Sequence, residues 1–523
     1  MSTDKSWGQD SHRTILKFTS IIASGTLLSR IFGFIRDIVL AKLLGTGMRA
    51  DAFFVAFKIP NLFRDIAGEG AANSAVIPVF SEYVEKKNKE ELWNFVSVIL
   101  ILSSILLSVI SVLGIVFAPV VVRVLAPGFI ADTEKLNLTI QLTRVMFPYL
   151  IFIGLTAYSM AILFSLRSFA SASYSPCLLN VAMIISMLVA TKTMKEPVFG
   201  LAIGVLIGGV LQLLVQIPPM LRQGIRLVKP KTLAHPGAKK IGSLLVPRLF
   251  GSAVYQLTVF IDTFCASLSG IVGVGGISAI YYANRIIQLP MGVFSIAIAS
   301  AILPTLSGLV TQKNFEQHKN TLIFSLKNIF FILIPIAVFL ALMAEPIIRL
   351  LFQRGEFDQY STAVTSQVLF FYSAGLVSFG GIKIMVTVFH SLQDTKTPVK
   401  VAAGCLLLNA FLNFLLMKPL KVGGIALAST IAGTVNFLLL FYLVDKKLGG
   451  IKINLGSYFF KVVLASFVMA QVIYLSFRSF GAIHDIAKLV LVMFLGIVSY
   501  FCLCYVLKVE QVERGFRWIL RKK

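Results

Sequence analysis

The segment VSVILILSSILLSVISVLGIVFAPVVV (96–122) contains no charged side chain. About 20 helical residues cross the hydrocarbon core of a bilayer, and inside that core backbone N–H and C=O groups must be satisfied within a helix or a closed barrel. The alternation over roughly ten residues that marks a membrane barrel is absent, whereas apolar runs of this kind recur along the chain. With 57% hydrophobic and 14% charged residues and 43 Phe among 523, the composition lies outside that of soluble domains. The sequence predicts an all-α integral membrane protein.

Apolar runs bounded by charges and turn residues place spans at 15–44, 50–81, 92–122, 137–165, 174–191 and 197–221. After a basic stretch a second set follows at 240–268, 275–307, 322–352, 362–391, 398–417 and 422–444, and two more lie at 456–477 and 486–507. The first run is too long and too charged at its centre for a cleaved secretory signal. Fourteen transmembrane helices put both termini on the cytoplasmic side. The basic residues agree, with Lys5, Arg13 and Lys17 at one end, an acid-free basic stretch from Arg222 to Lys240, and Lys508, Arg514, Arg517, Arg521, Lys522 and Lys523 at the other. The net charge of +25 is dispersed over short loops, which argues against nucleic acid as a partner.

The two sets of six look like copies displaced by about 220–230 residues, a symmetry common in transporters. Arg30-Ile31-Phe32-Gly33 answers to Arg248-Leu249-Phe250-Gly251, and Ile77-Pro78 to Leu303-Pro304. Pro119, Arg123 and Gly128 answer to Pro346, Arg349 and Gly355, and Gly154 to Gly375. Gly200, Gly209 and Gln212 answer to Gly424, Gly433 and Asn436. The expected organisation is an N-lobe over 1–221, a basic cytoplasmic linker over 222–239, a C-lobe over 240–445, two further helices over 446–508 and a basic tail over 509–523. The two pseudo-symmetric six-helix lobes are expected to enclose a cavity.

Charges inside these spans cost about 2.5–3.5 kcal/mol each at the centre of an isolated helix. In SRIFGFIRD (29–37), Arg30 and Asp37 share a helical face with Gly33, while Arg36 points elsewhere. In DAFFVAFKIPNLFRDIAGEG (51–70), Asp51, Lys58 and Asp65 recur every seven residues, Arg64 and Glu69 lie close by, and Pro60, Gly68 and Gly70 interrupt the helix. The second lobe carries Arg248, Asp262 and Arg285. Ion pairs that lock helices together would account for some of these charges. The six bases Arg30, Arg36, Lys58, Arg64, Arg248 and Arg285 nevertheless outnumber the acids Asp37, Asp51, Asp65, Glu69 and Asp262, and Asp51 and Glu69 fall near the membrane faces. A surplus of guanidinium at mid-depth suits phosphate oxygens. The expected substrate-binding set is Arg30, Arg36, Asp37, Asp51, Lys58, Arg64, Glu69, Arg248 and Arg285.

A smaller constellation joins Asp262 to Asn409 and Asn413, four apart on one helix, and to Ser429 or Thr430. Such oxygen ligands would hold Na⁺, or Asp262 would carry a proton; the alternative is plain hydrogen bonding between helices. The five cysteines and five histidines show no metal spacing, and no GxxxxGK[ST] loop is present, so neither a metal cofactor nor ATP is expected.

Beyond these physical readings, SRIFGFIRD, GTGMRADAFFVAFKIPNLFRDIAGEGA (45–71), YYANRIIQLPMGVFSIAIASAILP (281–304), LFQRGEFD (351–358) and HSLQDTKTPVK (390–400) resemble the sequence blocks of the MurJ (MviN) family of lipid II flippases. The resemblance covers nearly the whole chain. It implies a MATE-like fold and the movement of an undecaprenyl-diphosphate-linked peptidoglycan precursor across the bacterial cytoplasmic membrane, with cell-wall synthesis proteins as further partners. It places functional roles on Arg30, Arg36, Asp51, Arg64 and Arg285, and departs from the family at Asn284 and Asn413, where acids are common. On this reading Arg30, Arg36 and Arg285 clamp the diphosphate. The helices 456–477 and 486–507 wall a groove for the lipid tail. Na⁺ or the membrane potential, worth about 2.3 kcal/mol per charge per 100 mV, supplies the energy. The rival is a cation-coupled MATE-type exporter, for which fewer arginines and one dominant acid would be expected.

Overall fold

The computed structural model describes residues 4–64, 71–230, 232–449, 451–481 and 484–514, and gives the backbone alone for 4–17, 63–64, 71–75, 246–253, 255 and 451–454. Helices dominate, and no strand occurs among the described residues. Twelve helical stretches are long and apolar enough to cross a membrane, and they coincide with twelve of the expected spans. The other two, 50–81 and 240–268, are helical where described but fall partly on undescribed residues or side chains.

The chain divides into two compact units, Met1–Gln256 and Leu257–Lys523. The first is built from α1 (Asp4–Leu44), α2 (Met48–Arg64), α3 (Ala71–Lys86), α4 (Lys89–Val116), α5 (Ala118–Leu125), α6 (Thr133–Met146), α7 (Tyr149–Ser165), α8 (Ala170–Thr193), α9 (Pro197–Leu214) and α10 (Ile217–Arg222). Helix α11 (Pro236–Ser267) runs through the division. The second unit continues with α12 (Ser269–Val272), α13 (Gly276–Pro290), α14 (Ile296–Thr311), α15 (Phe315–Leu342), α16 (Ala344–Phe352) and α17 (Gln359–Ser391). It closes with α18 (Lys396–Leu420), α19 (Val422–Leu448), α20 (Ile451–Ser479) and α21 (Asp485–Val506).

The internal repeat is visible in local structure. Helices α4 and α15 are both 28 residues long and start alike: Asn88 accepts from the Glu91 N–H at 2.8 Å, and Asn314 from the Gln317 N–H at 3.1 Å. Each ends where a proline, Pro119 or Pro346, lies in the first turn of a short amphipathic helix, α5 or α16. The matched glycines mark close helix approaches. A Cβ on Gly200 would lie 2.0 Å from Ala190 Cβ, and one on Gly424 would lie 2.1 Å from the Leu416 carbonyl, so both hairpins, α8–α9 and α18–α19, require glycine at the same place.

Polar contacts tie the ends of each unit. In the first, Lys240 pairs with Glu82 at 2.6 Å, Trp93 Nε1 donates to the Gly224 carbonyl at 2.7 Å, and His235 stacks on Phe95. These strap the 222–239 linker across the end of α3 and the start of α4. At the opposite end Arg49 meets Glu196 at 2.8 Å, joining the starts of α2 and α9. In the second unit Lys327 pairs with Glu510 at 2.8 Å, and Lys447 with Asp394 at 2.6 Å. The Lys447 ammonium, helped by the Thr397 backbone N–H, holds the Asp394 carboxyl at about 2.

Candidate functional site

Helix α1 meets α8 along a face of small and polar residues. A Cβ on Gly25 would sit 2.6 Å from the Ser173 carbonyl oxygen, whereas one on Gly33 would find Asn180 at an ordinary 3.7 Å. Gly25→Ala is therefore expected to force the two backbones apart and cost about 1–3 kcal/mol. Gly33→Ala is expected to stay within about 0.5 kcal/mol of the parent. Thermal unfolding of the purified variants in detergent checks both.

Near the end of this face lies a buried charged cluster. The Arg36 guanidinium donates to Asp37 Oδ1 through Nε at 3.0 Å and Nη2 at 2.7 Å, and through Nη1 to Asn180 Oδ1 at 3.0 Å. Asn180 in turn donates to the Ser29 carbonyl at 3.1 Å. Arg36 and Asp37 are 4% and 0% exposed. This differs from the helical-wheel expectation that Asp37 faces Arg30: the long arginine side chain curls over its neighbour, which a wheel of Cβ directions does not capture. Through Asn180 the Arg36 side chain cross-links α1 and α8.

Arg30 is arranged oppositely. It is exposed, halfway along the Phe18–Leu44 span, and makes no hydrogen bond or ion pair with any described residue. Its neighbours on α1, Leu27 at 60% and Ile31 at 48% exposure, are exposed too.

On α2, Asp51 pairs with Lys135 of α6 at 2.8 Å, both side chains being at most 5% exposed, and the Lys135 ammonium also lies 4.2 Å from the Phe129 ring centre. Lys135 was not anticipated from sequence, because it follows a loop signal and sits outside any motif. Lys58 is half-buried on the same helix as Asp51. Asp65 and Glu69 lie outside the described residues, as do the side chains of Arg64 and Arg248.

In the second unit, Arg285 is half-buried on α13, with Nη2 donating to the Tyr281 hydroxyl at 3.1 Å and the guanidinium carbon 5.2 Å from that ring's centre. The next residue along from Tyr281, Tyr282, is fully buried against Phe352 and Phe357 and fixes the rotation of α13. Six residues past Arg285 the helix passes into a π-helical turn, Met291–Ser295, a local geometry often found at functional sites.

The second constellation assembles with one exception. Asp262 accepts from Asn413 Nδ2 at 2.9 Å and from Ser429 Oγ at 3.0 Å, and Asn409 bonds both Asn413 and Ser429. Thr430 instead donates to the Phe371 carbonyl at 2.8 Å and faces α17. The buried Asn413 Oδ1 has no hydrogen-bond partner among the described residues, so an oxygen acceptor remains available beside the Asp262 carboxylate. This all-oxygen donor set fits a hard cation such as Na⁺.

Long apolar helices, a twofold internal repeat and charge clusters set within the spans define a multi-pass membrane transporter. A family model described as lipid II flippase MurJ matches residues 40–495, and the chain belongs to that family. The probable lipid II flippase MurJ of Haemophilus influenzae is 36% identical over 464 residues, covering 86% of this chain and 90% of that one. The lipid II flippase MurJ of Burkholderia cenocepacia is 34% identical over 424 residues, covering 80% and 82%. A solved lipid II flippase MurJ in an inward closed conformation superposes with a TM-score of 0.78 at 28% identity, over 93% of this chain and 98% of that one. An inward-facing MATE family multidrug transporter of the MOP superfamily gives a TM-score of 0.68 over 83% and 98% at 17% identity, a likeness of fold alone. The family transports, and is not enzymatic.

Proposed function

We propose that this chain flips lipid II, the undecaprenyl-diphosphate-linked peptidoglycan precursor, from the inner to the outer leaflet of the bacterial cytoplasmic membrane by alternating access. The observation that carries the chemistry is Arg30: a mid-span guanidinium, exposed among apolar side chains and making no hydrogen bond or ion pair with described residues, calls for water and an anion beside it. Arg30 and Arg285 are the groups proposed to engage the diphosphate, each charge-assisted bond contributing about 1.5–3 kcal/mol. Arg64 and Arg248 join them on sequence grounds. Arg36–Asp37 and Lys135–Asp51 hold the helices that present them. The exposed apolar flank of α20, including Phe460 and Phe467, suits the prenyl tail. The basic linker faces the cytoplasm in this reading. Depleting the protein is expected to make lipid-linked precursor accumulate on the inner leaflet; precursor that still crosses at the normal rate refutes the assignment.

Na⁺ is the coupling ion we infer, held by Asp262, Asn409, Asn413 and Ser429. The membrane potential, negative inside, would additionally favour outward passage of the diphosphate. Na⁺ is expected to raise the thermal unfolding temperature of the purified protein relative to K⁺ at equal ionic strength. Asp262→Asn should abolish the difference, and equal temperatures in both salts would remove the Na⁺ site.

A further inference from the structure

At one end of the second unit, where α16 meets the start of α21, lies an open groove of about 580 Å³ lined by Arg349, Leu350, Gln353, Arg354, His484, Asp485 and Ile486. That volume is in the range of small-molecule sites. Neither the transport reading nor the Na⁺ site uses these residues. We propose that this groove binds the headgroup of a phospholipid carrying a phosphate and a primary ammonium, a phosphoethanolamine head, with its acyl chains lying along α21.

The argument is one of charge placement. Arg354 is held in position by Nη2, which donates to the carbonyls of Leu350 at 2.9 Å and Leu351 at 2.8 Å, leaving the rest of its fork for a phosphate. Arg349 adds a second guanidinium, already shared with Glu345 one turn earlier. His484 Nδ1 accepts from the Ile486 N–H at 3.4 Å, so a neutral His484 carries its proton on Nε2 as a further donor. Opposed to these stands the carboxylate of Asp485. A site with two guanidinium groups, of which one is countered by Glu345, and one carboxylate is close to neutral but polarised. A purely anionic head would gain the arginines and meet repulsion from Asp485. A head with a phosphate and an ammonium satisfies both. A quaternary ammonium offers no N–H to Asp485, and no phenyl or indole ring among the lining residues would hold it by cation–π attraction. Below the groove, Ile486, Val490, Met493 and Ile497 recur at helical spacing along α21, each at least 40% exposed, and give the acyl chains an apolar track leading from the headgroup.

The repeat also shows why this site occurs once. Helix α5 of the first unit answers to α16 and Arg123 to Arg349, but α20 and α21 are outside the repeat, so α5 has no counterpart of α21 packed beside it.

The test uses the full chain in nanodiscs of mixed phosphatidylethanolamine, phosphatidylcholine and phosphatidylglycerol, with native mass spectrometry of the lipid retained on extraction. The expected result is retention of phosphatidylethanolamine over the other two by about three- to fivefold. Asp485→Asn is expected to bring the ratio near one while lipid is still held. Arg354→Gln is expected to reduce retention of all three, and Arg354→Lys to restore part of it, which separates loss of charge from loss of fold. Equal retention of the three lipids by the parent protein, or a ratio unchanged in Asp485→Asn, overturns the proposal. Displacement of the bound lipid by millimolar inorganic phosphate would mean a free-phosphate site and overturns it too.

Discussion

Replacing Arg36 by alanine is expected to destabilise the first unit by about 3–5 kcal/mol, because it removes the guanidinium fork bonded to the Asp37 carboxylate at 0% exposure and a donor from Asn180. The pair contributes little net stability by existing, since desolvating both charges offsets most of their attraction; breaking it is what costs. That asymmetry gives the prediction a second arm. Arg36→Met with Asp37→Leu removes both charges at similar volume and should unfold within about 1–2 kcal/mol of the parent, although Asn180 loses its partner. Arg36→Lys has a single ammonium in place of a fork, cannot bond Asp37 twice and Asn180 at once, and should fall between. Thermal unfolding in detergent ranks the three, and an alanine variant as stable as the parent would show that the cluster holds nothing. The double variant carries a further consequence for mechanism. If it folds and still flips lipid, Arg36 acts through helix placement; if it folds and is inactive, Arg36 reaches the substrate in another conformation.

The sequence made the fold legible because membrane burial writes itself plainly: apolar runs set the crossings, and twelve of them reappear as helices. The repeat was legible for a related reason. Gly200 and Gly424 were recognisable as partners because no other residue fits where a helix backbone passes within van der Waals contact of another. Partner choice inside the spans was less legible. Seven-residue spacing placed Asp37 on the face of Arg30, with Arg36 pointing elsewhere, but a flexible arginine is not bound to its Cβ direction, and Arg36 bonds its immediate neighbour Asp37. Asp51 was read in a seven-residue series with Lys58 and Asp65, near the membrane face; its partner Lys135 is 84 residues away in sequence, a contact that only tertiary packing creates. Asp262, Asn409 and Asn413 were found together because two of them sit one helical turn apart, whereas Thr430 and Ser429, adjacent in sequence, point about 100° apart and only one reaches the cluster.

Arg30→Gln is expected to leave the fold intact and lower flipping by about tenfold to a hundredfold, the equivalent of one lost charge-assisted contact to a diphosphate. The two halves of this expectation come from one observation. Arg30 is exposed and bonded to no described residue, so its removal leaves no buried group stranded, in contrast to Arg36 six residues and about 9 Å of helix rise further on. On a lipid-facing surface the same substitution would instead stabilise the protein, since a mid-span charge is costly there. Arg30→Lys discriminates further: it keeps the charge but presents a point ammonium where a planar fork could engage two phosphate oxygens, and should retain intermediate activity. Precursor accessibility on the outer leaflet of cells carrying each variant, normalised to folded protein in the membrane, is the measurement. A stable, fully active Arg30→Gln protein would move the diphosphate contact away from Arg30 and leave Arg285, already braced by Tyr281, as the guanidinium to test next.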